Sequence, residues 1–270
     1  MLARSLKMAF WITYDHLGKL ILASLIWSLP VALPGFLAAA ALLSKDPTIQ
    51  VVIGIPTLVL CLGVILPVVS AGLAHMTKEL IDTRDGSITD MFRGIRLYWR
   101  RALGVGLVYV IGTTCLTTST WFYAAKLRDT MPWLGYGISA VALWCLIFAA
   151  LTSLLVMPTL VQRKGKVLET LKLASLLVLD NPVLSAGVAI QVLGLTAVAL
   201  VFTPVLFFLY GALLLVFVSS VYELLARKYA TMEAGVAAGP DSSGRAQPVD
   251  DEEDDYLNRG FRDFLFPWKG

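Results

Sequence analysis

Five long stretches of this chain contain no Asp, Glu, Lys or Arg, and this spacing of charge constrains the fold more than any other feature. The stretches cover residues 20–43, 51–70, 102–125, 134–161 and 183–222. Since roughly 20 helical residues cross the ~30 Å hydrocarbon layer of a membrane, each stretch is long enough to span it. The last stretch is about twice that length, and Thr203-Pro204 marks a turn within it. We therefore predict six spans, near residues 20–43, 51–75, 102–125, 134–161, 183–202 and 205–225.

The composition fits a membrane environment, because 57% of the residues are hydrophobic and only 15% are charged. Lipid offers no hydrogen-bond partners to the backbone, so a spanning segment must be a helix or part of a closed barrel. Barrel strands alternate between apolar and polar residues, which these stretches do not. We predict an all-α, polytopic membrane helical bundle. A secretory signal is the alternative for the first span, but its apolar region is longer than a typical signal core and further spans follow.

Lysines and arginines fall almost entirely in alternate loops, as the positive-inside rule requires. The other side has only Lys45, Lys126 and Arg128. We predict a protein of the bacterial cytoplasmic (inner) membrane with both termini in the cytoplasm. The basic residues of the cytoplasmic side, before the tail, are Arg4, Lys7, Lys19, Lys78, Arg84, Arg93, Arg96, Arg100, Arg101, Arg163, Lys164, Lys166, Lys172, Arg227 and Lys228.

One unit recurs three times within residues 1–230: an amphipathic segment followed by a pair of spans. The lead-in segments cover residues 8–19, 91–101 and 170–182, which gives a period of about 80 residues. We predict three transmembrane hairpins, each preceded by an interfacial amphipathic helix. Ser87 and Asp90 have the spacing of a capping box at the start of the second of these helices.

Four arginines of the second lead-in segment lie beside an apolar face that contains Phe92 and Trp99. We predict that these arginines, Arg93, Arg96, Arg100 and Arg101, contact anionic lipid headgroups. The alternative is that they only set the topology, as basic residues of any cytoplasmic loop do.

The third predicted span is the most polar, with Thr113, Thr117 and Thr120 on one helical face. These threonines either line a polar cavity or bond to carbonyls of their own helix and pack between helices. The spans contain no ionisable residue near their centres, which argues against a proton relay or a carboxylate-based cation site. Prolines at 30, 34, 56, 67 and 158 predict helix kinks.

No hydrolase, nucleotide-binding or metal-binding motif occurs in the sequence. We predict that the chain is not an enzyme and has no catalytic, cofactor-binding or metal-binding residues. A lipid-modifying enzyme is a further alternative, and its only candidate catalytic residues are Asp15, His16 and His75. The three cysteines form no CxxC pair, and we expect buried free thiols.

The tail changes composition abruptly. Residues 231–249 are rich in small and polar residues and predict a flexible linker. The acidic run DDEEDD follows at residues 250–255, and then YLNRGFRDFLFPWK at residues 256–269. This last segment predicts a short amphipathic cytoplasmic helix whose apolar face, formed by Phe261, Phe264, Leu265 and Trp268, docks on a partner or on the protein itself.

Four segments carry a resemblance to a known family: FWITYDHLGKLILASLIWSLP, LPVVSAGLAHMTKEL, ITDMFRGIRLYWRRALGVGLV and MPTLVQRKGKVLETLKLASLLVLDNP. Over residues 8–228 the chain resembles the YesL-like family of bacterial integral membrane proteins. The resemblance implies a helical bundle without a defined biochemical activity, associated with carbohydrate-uptake transporters of the ATP-binding-cassette type. The tail lies outside this resemblance.

Two functions follow from these features. The first is a non-enzymatic membrane accessory protein, associated with carbohydrate uptake, that binds partners through its amphipathic segments and tail. Its predicted partners are membrane lipids and a transporter complex or another protein of the cytoplasmic face, with no nucleic acid. The alternative is a permease for a neutral or lipid-like solute, which would require a cavity reaching into the membrane between the first hairpin and the third span.

Overall fold

The computed structural model describes residues 1–126, 131–163 and 165–237, with side chains to residue 232. Every regular element in these ranges is a helix, and six of the helices are long and apolar enough to cross a membrane. The predictions of an all-α chain and of six such helices are confirmed. Helices of this length and composition make the chain a membrane protein.

We number the helices of the described residues in chain order. All except α1 and α6 have the length and apolar character of a membrane span. They are α1 (Leu2–Asp15), α2 (Leu17–Leu42), α3 (Pro47–Thr83), α4 (Ile88–Ala125), α5 (Pro132–Gln162), α6 (Val167–Asp180), α7 (Pro182–Val201) and α8 (Thr203–Met232, with helical backbone to Ala237).

Local sequence explains where several helices begin. The backbone N–H of Ser87 donates to the Asp90 carboxylate at 2.9 Å, so the predicted capping interaction starts α4. Asn181 leaves the helical conformation directly before Pro182, as expected for a residue whose helical geometry clashes with the following proline ring. Phe202 separates α7 from α8 just before Thr203 and Pro204, so the helix breaks where the sequence predicts.

The second lead-in segment differs from its prediction, because residues 91–101 are not a separate helix. They form the first part of α4, which continues without a break through the third predicted span. At 38 residues, α4 is about 57 Å long and exceeds the ~30 Å hydrocarbon layer. The reason lies after Arg101, where the sequence has no proline or helix-ending turn. The first and third units do have interruptions, at His16 and at Asn181-Pro182.

Two prolines inside α3, Pro56 and Pro67, follow π-helical turns, in which a backbone N–H bonds to the carbonyl five residues earlier. These turns cover Gln50–Gly54 and Cys61–Ile65, directly before the turns that contain Pro56 and Pro67. Proline has no N–H to donate to the carbonyl four residues back, so the hydrogen-bond ladder shifts locally. Pro30 and Pro34 lie inside α2, which remains helical around them.

Burial is concentrated at the end of the bundle where the charged residues lie. The middle of α8 is the centre of this packing, with Val216, Val218 and Leu225 almost completely buried. A buried hydrogen bond of 3.1 Å joins the hydroxyls of Thr77 in α3 and Ser219 in α8. Toward the other end, the helices expose most of their apolar side chains. The helix packing is therefore closest in one half of the bundle.

Cysteine placement follows the same division. Cys61 is buried, but Cys115 and Cys145 are exposed. The expectation of buried thiols is wrong for these two residues, because both lie on the side of their helix that faces away from the bundle.

Candidate functional site

A cavity of about 290 Å³ lies between α2, α3, α4, α5 and α8. Its wall is almost entirely apolar, and four of its residues have polar side-chain atoms: Trp27, Ser70, Tyr109 and Ser153. The remaining wall residues are Leu62, Leu66, Pro67, Val105, Gly106, Leu154, Val156, Met157, Leu214, Leu215 and Val218. A cavity with this wall favours an apolar or neutral ligand over a charged one, because an unpaired charge is costly in an apolar site.

Most of the polar atoms in the wall are already hydrogen-bonded within the protein. The indole N–H of Trp27 donates to the Ser70 hydroxyl at 3.0 Å, and this pair is buried. The Ser153 hydroxyl donates to the Ala150 carbonyl at 2.7 Å. The Tyr109 hydroxyl has no hydrogen-bond partner among the described residues. Tyr109 therefore offers a bound molecule a polar contact that the protein does not already use.

The charged residues of three helices indicate how deep in the bundle the cavity lies. Trp27, Ser70 and Tyr109 each lie eight residues from the nearest charged residue of their own helix, which are Lys19, Lys78 and Arg101. Eight helical residues correspond to about 12 Å. The cavity therefore lies about 12 Å inside the charged end of the bundle, a little less than half-way through a ~30 Å hydrocarbon layer.

The cavity is open to the outside of the bundle. Leu62 of α3 is 45% exposed, and Ser153 of α5 is also exposed, although both residues belong to the cavity wall. In a membrane, such an opening faces lipid chains. A lipid-like molecule could enter from the bilayer without passing through the charged end.

Close contact between α3 and α4 forms one wall. A side chain on Gly106 would place its Cβ 2.2 Å from the Gly63 carbonyl oxygen and 2.5 Å from Cγ of Pro67. Glycine is therefore required for the two backbones to approach this closely. The π-helical turn Cys61–Ile65 contributes both Gly63 and the wall residue Leu62.

The threonines predicted to line a polar cavity do not line this one. The Thr113 hydroxyl donates to the Tyr109 carbonyl at 2.6 Å, and the Thr120 hydroxyl donates to the Leu116 carbonyl at 2.8 Å. Thr117 is exposed on the surface of α4. Thr113 and Thr120 therefore bond to the preceding turn of their own helix, which is the other interpretation of this cluster.

The four arginines predicted to contact lipid headgroups are divided between two environments. Arg93, Arg96 and Arg100 are exposed on one face of α4. Arg101 instead donates from Nη2 to the Arg163 carbonyl at 3.0 Å and to the Thr170 hydroxyl at 3.2 Å. Its guanidinium also lies 5.9 Å from the centre of the Tyr98 ring. Arg101 therefore joins α4 to the start of α6 and does not share a surface with the other three.

The two histidines have different neighbours. His75 is buried, with Nε2 4.0 Å from a Glu79 carboxylate oxygen and its ring 5.7 Å from that of Tyr98. His16, between α1 and α2, interacts with Lys19, Asp15 and Asp85. The residues that a lipid-modifying enzyme would use therefore do not form one cluster. In the ranges that the structure describes, no group of three metal-ligating side chains is found.

His16 should make stability depend on pH. Burial and the neighbouring Lys19 lower the pKa of His16 below its usual 6.5, against the opposite influence of Asp15 and Asp85. The folded protein thus binds this proton more weakly than the unfolded chain, so stability is lost as pH falls below 6.5 towards the lowered pKa. We expect the melting temperature in detergent to fall between about pH 7 and pH 5, and to fall less in His16→Gln. Identical pH dependence in both proteins would contradict this prediction.

The predicted docking residues Phe261, Phe264, Leu265 and Trp268 lie outside the described residues, as do the acidic run and most of the linker. Comparisons with protein-family models, curated proteins and solved structures give no match for this chain. The resemblance to the YesL-like family therefore stays a prediction.

Proposed function

We propose that this protein is a non-enzymatic permease for a neutral or lipid-like solute, which binds in the cavity between α2, α3, α4, α5 and α8. The observation that carries the proposal is an apolar cavity that opens to the surface of the bundle about 12 Å from its charged end. Its volume of about 290 Å³ is close to the lower limit of small-molecule sites, which is about 300 Å³. A single lipid chain with a neutral polar group that reaches Tyr109 suits these dimensions.

We place the charged end of the bundle in the cytoplasm of a bacterial cell, following the positive-inside rule. Contacts between distant segments support a common side for the basic loops. Lys19 lies 3.0 Å from Asp85, at the α3–α4 connection, and Arg101 bonds to the backbone of Arg163, after α5. In this orientation the cavity lies in the cytoplasmic half of the membrane.

We also propose that the six long helices form three hairpins and that α1 and α6 lie along the cytoplasmic membrane surface. Both short helices have one buried and one exposed apolar side, which supports this placement. In α1, Ile12 is buried and Phe10 is exposed; in α6, Ala174 is buried and Leu168 is exposed.

Photolabelling tests whether the cavity binds lipid chains. The protein would be placed in nanodiscs containing a phospholipid with a photoreactive diazirine in one acyl chain, and labelled residues would be mapped by mass spectrometry. Ser153→Phe adds an aromatic ring at the opening of the cavity, and we expect it to reduce labelling of Tyr109 and Met157 about tenfold, equivalent to ~1.4 kcal/mol. Ser153→Ala is the matched control, because it removes the hydroxyl without filling space.

Movement of solute is tested with the same variants. In proteoliposomes, a fluorescent short-chain phospholipid should exchange between leaflets faster with the native protein and Ser153→Ala than with Ser153→Phe. Labelling that does not depend on residue 153 would contradict binding in the cavity. Labelling without faster exchange would contradict the permease and leave only lipid binding.

The accessory role in carbohydrate uptake depends on the tail, which lies outside the described residues. It stays a prediction, because the presence of the cavity argues neither for it nor against it.

A further inference from the structure

The first part of α4 carries an exposed basic surface, which we call the basic stripe: Phe92, Arg93, Arg96, Trp99 and Arg100. Phe92 is 54% and Trp99 45% exposed, although the opposite side of the same helix is buried at Met91 and Gly94. The Arg100 guanidinium lies 5.2 Å from the centre of the Trp99 ring.

Few carboxylates of the described residues lie near the arginines of the basic stripe. Arg93 approaches the Asp90 carboxylate at 3.3 Å. Arg96 and Arg100 have no carboxylate partner within the part of the chain that the structure describes. Two exposed guanidinium groups therefore remain available for an anionic ligand with planar carboxylates or phosphates.

The continuity of α4 carries the start of the stripe away from the membrane. Arg93 and Arg96 precede Arg101, the last charged residue before the apolar part, by about 12 Å and 7.5 Å along the helix. A membrane's headgroup layer extends only about 5 to 7.5 Å beyond the hydrocarbon on each side. An ordinary helix tilt of about 20° shortens these distances by less than a tenth. Phe92 and Arg93 thus lie beyond the headgroup layer and Arg96 at its outer edge, which favours a soluble anionic ligand over a lipid for this part of the stripe.

We propose that the basic stripe binds the acidic run of this chain's own tail, residues 250–255. The run DDEEDD presents six consecutive acidic side chains, and aromatic residues follow it at 256, 261, 264, 266 and 268. The stripe has the complementary order of groups, with arginines beside two exposed aromatic rings. Carboxylates pair with Arg96 and Arg100, while the following aromatic residues reach Phe92 and Trp99.

The length of the chain permits this contact. The helical backbone of α8 ends at Ala237, and the 13 residues from there to Asp250 can extend over about 43 Å. The basic segment of α4, residues 88–101, is only about 21 Å long. The end of α8 also lies on the correct side of the bundle, because Asp82, near the end of α3, interacts electrostatically with Glu223 and Arg227 of α8.

Because the tail is tethered to the bundle, even a weak interaction between the acidic run and the basic stripe keeps the two in contact. A short linker holds the two surfaces at an effective concentration of the order of millimolar, so the tail occupies the stripe even if a free peptide of the same sequence binds poorly. A cytoplasmic partner that uses the stripe must first displace the tail. This intramolecular contact is independent of what the membrane cavity binds.

Disulfide cross-linking tests the contact in the full-length protein. In a variant lacking Cys61, Cys115 and Cys145, Leu97→Cys places a thiol beside the stripe, at a residue that is 62% exposed. Val249→Cys places the second thiol directly before the acidic run. We expect rapid intrachain cross-linking in nanodiscs of phosphatidylcholine with one protein per disc, and about tenfold slower cross-linking after Arg96→Glu and Arg100→Glu. Reversing the acidic run to lysines in the same protein should restore the rate.

Lys166→Glu with Lys172→Glu is the matched control, because it reverses two exposed charges, one directly before α6 and one on it. It should leave the cross-linking rate unchanged. The proposal is overturned if the arginine reversals have no effect or if mixed single-cysteine proteins cross-link between chains as readily as within one. It is also overturned if anionic phosphatidylglycerol in the discs abolishes cross-linking, since lipid would then be the ligand of the stripe.

Discussion

Gly106→Val is expected to destabilise the bundle by about 3 kcal/mol or more, the largest effect predicted for a single substitution in this protein. The new Cβ would lie 2.2 Å from the Gly63 carbonyl oxygen, which is too close for a carbon and an oxygen that are not bonded to each other. The obstacle is backbone, so a change of side-chain rotamer cannot relieve it. Either α3 and α4 separate, which opens the cavity wall, or the protein fails to assemble.

Thermal unfolding and size-exclusion chromatography in detergent measure this effect. Gly112→Val is the matched control, because it lies on the same helix and its Cβ would meet nothing within 4 Å. We expect Gly112→Val to behave nearly as the native protein does. Equal melting temperatures for the two variants would show that α3 and α4 do not depend on their contact at Gly106.

Arg101→Ala is expected to cost about 2 to 3 kcal/mol. Two hydrogen bonds from Nη2, at 3.0 and 3.2 Å, hold the Arg163 carbonyl and the Thr170 hydroxyl. Removing the guanidinium leaves both groups without this donor and removes the contact with the Tyr98 ring. The start of α6 should then detach from α4.

Arg100→Ala is the control for this substitution, because Arg100 is the adjacent residue and is exposed. Its loss should change the melting temperature little, as expected for an exposed charge. Limited proteolysis near residue 165 gives a second measurement, and cleavage should accelerate only in Arg101→Ala. A similar loss of stability in both variants would mean that the contacts of Arg101 contribute nothing specific.

Charge spacing and proline position predicted much of this architecture. Six helices of membrane-spanning character, the break before Thr203-Pro204 and the start of α4 at Ser87 follow from local rules of hydrophobicity, proline geometry and capping. These features depend on residues close together in the sequence, and the structure agrees with the sequence there.

Features that depend on distant residues could not be predicted in the same way. Arg100 and Arg101 are adjacent and chemically identical, yet only Arg101 donates a hydrogen bond to a carbonyl 62 residues away. The cavity is formed by side chains from five helices, so its volume depends on packing that no single segment encodes. A sequence signal existed only for its wall, where Gly63 and Gly106 allow close helix contact.

The unbroken α4 connects the two ends of the molecule as a lever. It packs closely against α3 both at Gly94 and at Gly106, where an added Cβ would lie 2.5 Å and 2.2 Å from atoms of α3. The charged part of α4 is therefore fixed to α3, and Trp121 lies about 22 Å beyond Gly106. If α3 and α4 tilt together as one rigid body about this contact, Trp121 moves furthest, while Tyr109, about 4.5 Å from Gly106, moves much less. A tilt of the charged end would therefore displace the opposite end of α4, while the wall of the cavity stays nearly still.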